Sequence, residues 1–303
     1  MADQPNPPRR ISPTEPPHYA GGSVFPLSDA EIVTLVRSAL DEDRAFDDVT
    51  TLATVLSVRH QRSRLVARAP GVLAGVPLAL AAFRLLDERV EIRVDAEDGT
   101  SVRPDSTVLF ISGHARGVLS AERVALNFLQ RLSGIATLTQ RYVEAVRGTQ
   151  TAILDTRKTT PNWRRLEKYA VWCGGGVNHR MDLAAAVLIK DNHLVAVDGD
   201  VAMAVRRVRE FTDQPVAVQV ECDRPEQVRA AVDAGADSVL LDNMTLDQLH
   251  ECVALARGHC VTEASGGVTL ATVRAIAETG VDRISVGALT HSAGALDLAL
   301  DFD

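Results

Sequence analysis

Five basic residues stand close to the ends of apolar runs or beyond a run of glycines. Arg157 and Lys158 follow Ala152-Ile153-Leu154, His179 and Arg180 follow Gly174-Gly175-Gly176, and Lys190 ends the run Ala184-Ala185-Ala186-Val187-Leu188-Ile189. Like charges gathered in one place repel, a cost that is tolerable mainly when an anion neutralises them. Arginine forks match planar carboxylates and phosphates, so this set predicts a polyanionic ligand. Two carboxylates, Glu221 and Asp242, end the runs Val218-Gln219-Val220 and Ser238-Val239-Leu240-Leu241. They suit a magnesium ion held mostly by substrate oxygens, the stabilisation of a developing cation, or charge balance with Lys158 and Lys190. Ser265-Gly266-Gly267 and Ser285-Val286-Gly287 close two further runs, and glycines there let backbone N–H groups approach a phosphate.

Elements that bring such residues together are legible in the same runs. A strand buried on both faces reads as continuous apolar sequence. Polar residues at the carboxyl ends of parallel strands are how a β/α barrel builds its site, and the loops of the last two strands are its usual phosphate site. The steps between the polar ends Thr156, Lys190, Glu221, Asp242, Ser265 and Gly287 are 34, 31, 21, 23 and 22 residues, each room for one helix and two loops. Six strong strands are counted, short of a complete eight-stranded barrel. Helix punctuation agrees: Pro225 lies in a first turn and Gly235 ends that helix, Thr245-x-x-Gln248 caps the next and Gly258 closes it, and Thr269 opens another.

Ahead of the barrel, Ser28-Asp29-Ala30-Glu31 is a capping box, followed by Ile32, Leu35, Val36, Ala39 and Leu40 at helical spacing. Residues 63–118 read as short strands broken by a helix near 77–86, a separate α+β domain. A helical stretch from Ser120 to Val146 bridges to the barrel. Residues 1–26 hold seven of the thirteen prolines and almost no apolar periodicity, which predicts a disordered arm in which Arg9 and Arg10 form a solvated pair.

The 303 residues have room for about two domains. A net charge of −8 argues against general affinity for nucleic acid or an anionic membrane, yet leaves room for an anionic small ligand in a locally basic pocket. No apolar run approaches the roughly 18 residues of a membrane helix, and no signal pattern opens the chain, so a cytoplasmic protein is expected. Cys173, Cys222, Cys252 and Cys260 have no metal-site spacing, and Cys222, although next to Glu221, reads as a buried inert thiol.

Several long motifs, in order, carry a resemblance to a known family. They are Asp48-Val49-Thr50-Thr51, Asp155-Thr156-Arg157-Lys158-Thr159-Thr160-Pro161, Gly174-Gly175-Gly176-Val177-Asn178-His179-Arg180, Ile189-Lys190-Asp191-Asn192-His193, Leu241-Asp242-Asn243, Glu263-Ala264-Ser265-Gly266-Gly267 and Gly287-Ala288-Leu289-Thr290-His291-Ser292. From about residue 27 onward the chain resembles quinolinate phosphoribosyltransferase (nicotinate-nucleotide pyrophosphorylase, carboxylating). The resemblance implies an α/β protein: an amino-terminal α/β sandwich domain over 27–126, to which 294–303 return, and an incomplete, seven-stranded-type TIM-like barrel over 127–293. It also implies a homodimer in which Arg123 reaches into the partner's barrel; sequence alone reads Arg123 as an exposed helix residue. Four departures stand out: Asn162-Trp163 where the family usually has Gly-Leu, Gln219 where it often has Glu, Trp172-Cys173 before the glycines, and the proline-rich arm.

The implied reaction joins quinolinate to phosphoribosyl pyrophosphate and releases pyrophosphate and carbon dioxide, giving nicotinate mononucleotide for de novo NAD biosynthesis. It needs magnesium and no organic cofactor. Lys158, Lys190, Glu221 and Asp242 would be catalytic, with Glu221 and Asp242 near the metal. Arg123, Thr156, Arg157, His179 and Arg180 would complete the substrate contacts, with Ser265, Gly266, Gly267, Ser285, Val286 and Gly287 at the phosphate. The rivals are a related phosphoribosyltransferase acting on nicotinate or another heterocycle without decarboxylation, a Schiff-base lyase using Lys190 or Lys158, and a non-catalytic binding protein.

Overall fold

The computed structural model describes residues 25–211 and 216–302. Up to residue 24 the expected arm, with Arg9 and Arg10, lies outside them. Helices α1 (Asp29–Glu42) and α2 (Val49–Thr54) lead to β1 (His60–Ala67), β2 (Gly71–Val72), α3 (Val76–Leu86), β3 (Glu91–Val94), β4 (Ser101–Val102) and β5 (Thr107–His114). The long α4 (Ala115–Ala145) precedes β6 (Ala152–Leu154), α5 (Arg164–Cys173), β7 (Val187–Ile189), α6 (Asp191–Val195) and α7 (Val201–Phe211). Then come β8 (Val218–Cys222), α8 (Pro225–Asp233), β9 (Ser238–Asp242), α9 (Leu246–Ala256), β10 (Val261–Ser265), α10 (Val273–Glu278), β11 (Arg283–Ser285), α11 (Ala288–His291) and β12 (Leu298–Phe302). Two compact units form: residues 25–140, 159–175 and 288–302 in one, residues 141–158 and 176–287 in the other.

The first unit is built on an antiparallel sheet in the order β12-β1-β5-β3. The chain's last strand returns here, with Leu300 opposite Leu65. Ser28 and Glu31 make the capping box reciprocally, and α1 turns Ile32, Val36 and Leu40 inward at successive i, i+4 positions. Phe25 is buried edge-on against Tyr169, ring centroids 5.0 Å apart. Asp87 ends α3 and accepts from Arg89 N (3.0 Å), His114 N (2.8 Å) and His114 Nδ1 (3.0 Å), which ties α3 to the end of β5.

The long helix starts at Ala115, five residues earlier than expected from Ser120. Gly117 suggests a break, but a side chain there would meet Asp87 Cβ at 2.9 Å, so this glycine serves packing. Further along, a Cβ on Gly134 would lie 1.9 Å from the Gly294 carbonyl oxygen, and one on Gly174 would lie 2.3 Å from that of Ala136. Backbone meets backbone at both places. Asn162 has a φ of 66°, a left-handed conformation where asparagine is the tolerable substitute for glycine, and Trp163 stacks on Phe128 at 5.3 Å. Those two departures therefore have local explanations. Buried Glu167 receives Arg131 Nη2 (2.9 Å), Thr160 N (3.0 Å) and Thr160 Oγ1 (2.8 Å), fixing the turn before α5.

The second unit is one parallel sheet of six strands in the order β6-β11-β10-β9-β8-β7, joined by helices. Its strands are the six apolar runs. Val177 adds a single parallel bridge to Leu154 on the outer side of β6. Among the described residues β6 and β7 do not pair, so the barrel is incomplete. Pro225 opens α8, and Thr245 and Gln248 cap α9 as expected, whereas the helix expected at Thr269 begins only at Val273. Thr269 and Thr272 instead bond one another in a turn that precedes it. Cys222, Cys252 and Cys260 are buried here, and burial pushes their thiols up to about 12, 11 and 11. No helix among the described residues is long and apolar enough to cross a membrane.

Candidate active site

Because the six strands are parallel, their carboxyl ends lie along one edge, and register decides which tips are neighbours. Ile189 pairs with Val220, so Lys190 emerges beside Glu221, and Lys190 Nζ lies 3.4 Å from Glu221 Oε2. Cys222 pairs with Leu241, which makes Asp242 the next tip; Asp242 pairs with Ser265, and Ser285 with Leu154. Across the edge the order runs Thr156-Arg157, Ser285, Ser265, Asp242, Glu221, Lys190. Cations stand at both ends with carboxylates and small residues between.

The β6 end is held by a residue that sequence reading left without a role. Asp155 is fully buried, and its Oδ1 accepts from His179 N (2.8 Å) while Oδ2 accepts from Asn178 Nδ2 (2.7 Å). With Val177 N donating to Ile153 O (2.8 Å), this pins segment 177–180 against β6. The two arginines are thereby brought together. Burial, and then the positive charge of Arg157, hold the Arg180 guanidinium below its ordinary range. Arg157 Nε is buried and has no hydrogen-bond partner among the described residues. Arg180 Nη1 is anchored on the Ala186 carbonyl at 2.8 Å. Lys158 is exposed, and its backbone N–H donates to Thr156 Oγ1 (3.0 Å).

At the glycine tips the geometry is tight on one side and open on the other. Gly266 has a φ of 90°, and a Cβ there would sit 2.2 Å from Asn243 Oδ1; Gly267, at 60°, faces open space. Asn243 Nδ2 also donates to Asp242 Oδ2 at 2.7 Å, so one asparagine orients the carboxylate and floors the glycine turn. Val286 N bonds the Leu154 carbonyl (2.9 Å), which carries Gly287 past the β6 tip.

Glu263 was missed too. It is a fully buried acid in the middle of β10, beside Gln219 and His179. The sequence signal was a charge in the middle of a short strand, between Thr262 and Ala264. Among the described residues no group of three or more His, Cys, Asp or Glu side chains could hold a metal. Glu221 and Asp242, half-buried on adjacent strands, fit an ion that brings most of its oxygen ligands with the substrate. Arg123 belongs to the other unit, exposed on α4, where it borders a cavity of about 480 Å³ with Arg44, Asp43, Asp47, Asp48 and Ser120. Asp48 there caps α2 through Thr51 N (3.0 Å) and accepts from Ser120 Oγ (2.9 Å); hydrogen bonds from Thr51 hold its carboxyl below the usual range.

Residues 48–133 match the family model described as "Quinolinate phosphoribosyl transferase, N-terminal domain", and residues 135–301 match that of the C-terminal domain. A probable nicotinate-nucleotide pyrophosphorylase [carboxylating] of Bacillus subtilis (strain 168) is 40% identical over 91% of this chain and 94% of its own length. The nicotinate-nucleotide pyrophosphorylase [carboxylating] of Mycobacterium leprae (strain TN) is 43% identical over 91% and 99%. A solved nicotinate-nucleotide pyrophosphorylase from Francisella tularensis superposes with a TM-score of 0.86 at 36% identity, covering 91% of this chain and 98% of that one. Taken with the parallel-sheet unit and its polar strand tips, these matches establish that the chain belongs to the quinolinate phosphoribosyltransferase family.

Proposed function

We propose that this chain transfers the phosphoribosyl group of phosphoribosyl pyrophosphate to quinolinate with decarboxylation, yielding nicotinate mononucleotide, pyrophosphate and carbon dioxide. The observation that carries the reading is the Arg157–Arg180 pair, close enough for the charge of Arg157 to act on the Arg180 guanidinium, with an Arg157 Nε that is buried and without a hydrogen-bond partner among the described residues. Such a pair suits a planar dicarboxylate, whose forks would satisfy it. A monocarboxylate such as nicotinate would leave part of this charge uncompensated. Arg123 and His179 would join the same pole.

Beside that pole, on β11 and β10, Ser265, Gly266, Gly267, Ser285, Val286 and Gly287 offer backbone donors to the ribose phosphate. Lys158 and Lys190 lie at the outer tips, for the pyrophosphate. Magnesium, held by the substrate and by Glu221 and Asp242, would neutralise charge on the pyrophosphate. As the C1–oxygen bond breaks, C1 becomes oxocarbenium-like, and Glu221 and Asp242 stabilise that charge. The ring nitrogen then bonds C1. The resulting pyridinium draws the electron pair of the C2–carboxylate bond into the ring, carbon dioxide leaves, and C2 takes a proton. Holding two mutually repelling anions in line is a large part of the work.

A Schiff-base lyase fits less well. Lys190 is 48% exposed and its ammonium lies against Glu221, the opposite of a desolvated, unpaired amine. We further read the chain as a cytoplasmic homodimer in which Arg123 completes the partner's site. Exposed Phe46, Val49, Leu52, Leu56 and Val58, in and around α2, supply apolar surface for that contact. The test is release of labelled carbon dioxide from 2-carboxyl-labelled quinolinate. Release that requires both phosphoribosyl pyrophosphate and magnesium is expected. Absence of release, or equal turnover of nicotinate, overturns the reading.

A further inference from the structure

Glu263 lies in the interior of β10 with none of its side chain in contact with solvent. Burial alone would push its carboxyl up, yet contacts from His179, Gln219 and Ser285 outweigh burial and hold it below the usual range. Gln219 Nε2 donates to Glu263 Oε2 at 3.0 Å. The other oxygen, Oε1, is buried without a hydrogen-bond partner among the described residues and faces His179 Nε2 at 3.5 Å, the edge of bonding distance. On the far side of the ring, His179 Nδ1 accepts the Arg180 backbone N–H at 2.7 Å. A backbone N–H can only donate, so Nδ1 carries no proton and Nε2 must carry it, toward the carboxylate. The imidazole is thus a strut between a buried anion and the backbone of Arg180.

We propose that Glu263 is a positioning residue. By holding His179 in its Nε2–H tautomer it fixes the Arg180 backbone, and so the spacing of the Arg180 and Arg157 guanidiniums that receive the dicarboxylate. Gln219 is the complementary half of the device. As a neutral donor it supports the charge on Glu263, whereas a second carboxylate at that distance would share a proton with it and weaken the hold on His179. The inference rests on the reading that Arg157 and Arg180 bind quinolinate.

The chemistry of an amide swap follows from this geometry. Gln219 and His179 reach different oxygens of Glu263, and in Glu263→Gln the single carbonyl oxygen can occupy only one of those two places. If the amide NH2 faces the ring, His179 must move its proton to Nδ1 and release the Arg180 N–H. Steady-state kinetics should show the quinolinate KM raised on the order of tenfold or more, with kcat within about threefold. The double variant Glu263→Gln/Gln219→Glu restores one carboxylate and one amide to the same buried space. It should recover the melting temperature and leave KM raised, since the charge no longer faces His179. An unchanged KM in Glu263→Gln, or a KM restored by the swap, overturns the proposal. Nitrogen-15 NMR of ring-labelled wild-type protein decides it without reference to substrate: protonation at Nε2 of His179 is expected, and protonation at Nδ1 overturns it. Arg180→Lys, assayed alongside, isolates the underlying reading, because an unchanged quinolinate KM there defeats the carboxylate assignment while the tautomer result still judges Glu263.

Discussion

Arg157 and Arg180 illustrate how a site can be charged in advance of its ligand. Asp155 is two residues before Arg157 in sequence, yet its two oxygens accept from His179 N and Asn178 Nδ2, so it acts as a clamp. Replacing the fork of Arg180 with lysine should therefore raise the quinolinate Kd on the order of tenfold, ~1.4 kcal/mol, because an ammonium cannot bond two carboxylate oxygens side by side. Glu221→Gln should act at the other pole. It should lower turnover on the order of 10²-fold and leave the quinolinate Kd within a few-fold, since charge matters most as the ribosyl cation develops. Binding titrations and turnover at saturating magnesium measure both, and the reverse pattern would exchange the two poles. The strand tips were readable from sequence because each interrupts an apolar run. Asp155 and Glu263 were not, because a supporting residue is recognised only by what it touches: His179 is 24 positions from the first and 84 from the second.

Elements show the same division. Strands β6 to β11 and the caps of α1 and α9 are local patterns, and the sequence states them directly. The start of α4 and the turn ahead of α10 depend instead on what lies across the fold. Gly117 lies within the helix as a glycine because Asp87 leaves no room for a side chain, and the hydroxyls of Thr269 and Thr272 bond one another before the helix begins. Asp87 is the most informative element-level joint. Burial opposes its charge, but donors from His114 and Arg89 win and hold its carboxyl below the usual 3.8. A lowered folded value means that the carboxylate adds stability above the unfolded pKa and loses it as pH falls through the folded one. Asp87→Asn should therefore be clearly less stable than the parent in urea at pH 7, with the gap narrowing below about pH 4. A gap independent of pH would assign the joint to shape alone.

For the whole molecule, a net charge of −8 coexists with a locally basic pocket because Arg157, Lys158, His179, Arg180 and Lys190 gather at the strand tips while the excess of acids is spread over the rest of the chain. The matches to both family domains span residues 48–301, so catalytic and amino-terminal parts are inherited together. That bears on Arg123, which lies in the amino-terminal unit and borders its own acidic cavity. If Arg123 serves the partner's site, inactive Arg123→Ala and inactive Lys190→Ala proteins should regain activity once their subunits exchange, because a mixed dimer contains one intact site. Verified exchange without recovery would place Arg123 outside the reaction.

The three thiols sealed inside the barrel unit offer a different kind of reporter. At about 11 to 12, their thiolate fraction near neutral pH is on the order of 10²–10³ below that of a free cysteine, and none is exposed to a reagent. Folded protein should therefore be nearly silent toward iodoacetamide at Cys222, Cys252 and Cys260. Labelling followed by peptide mass spectrometry would then clock how often the barrel opens. Saturating substrates should slow that clock for all three together, since a ligand gripping the strand tips has to leave before the strands can part.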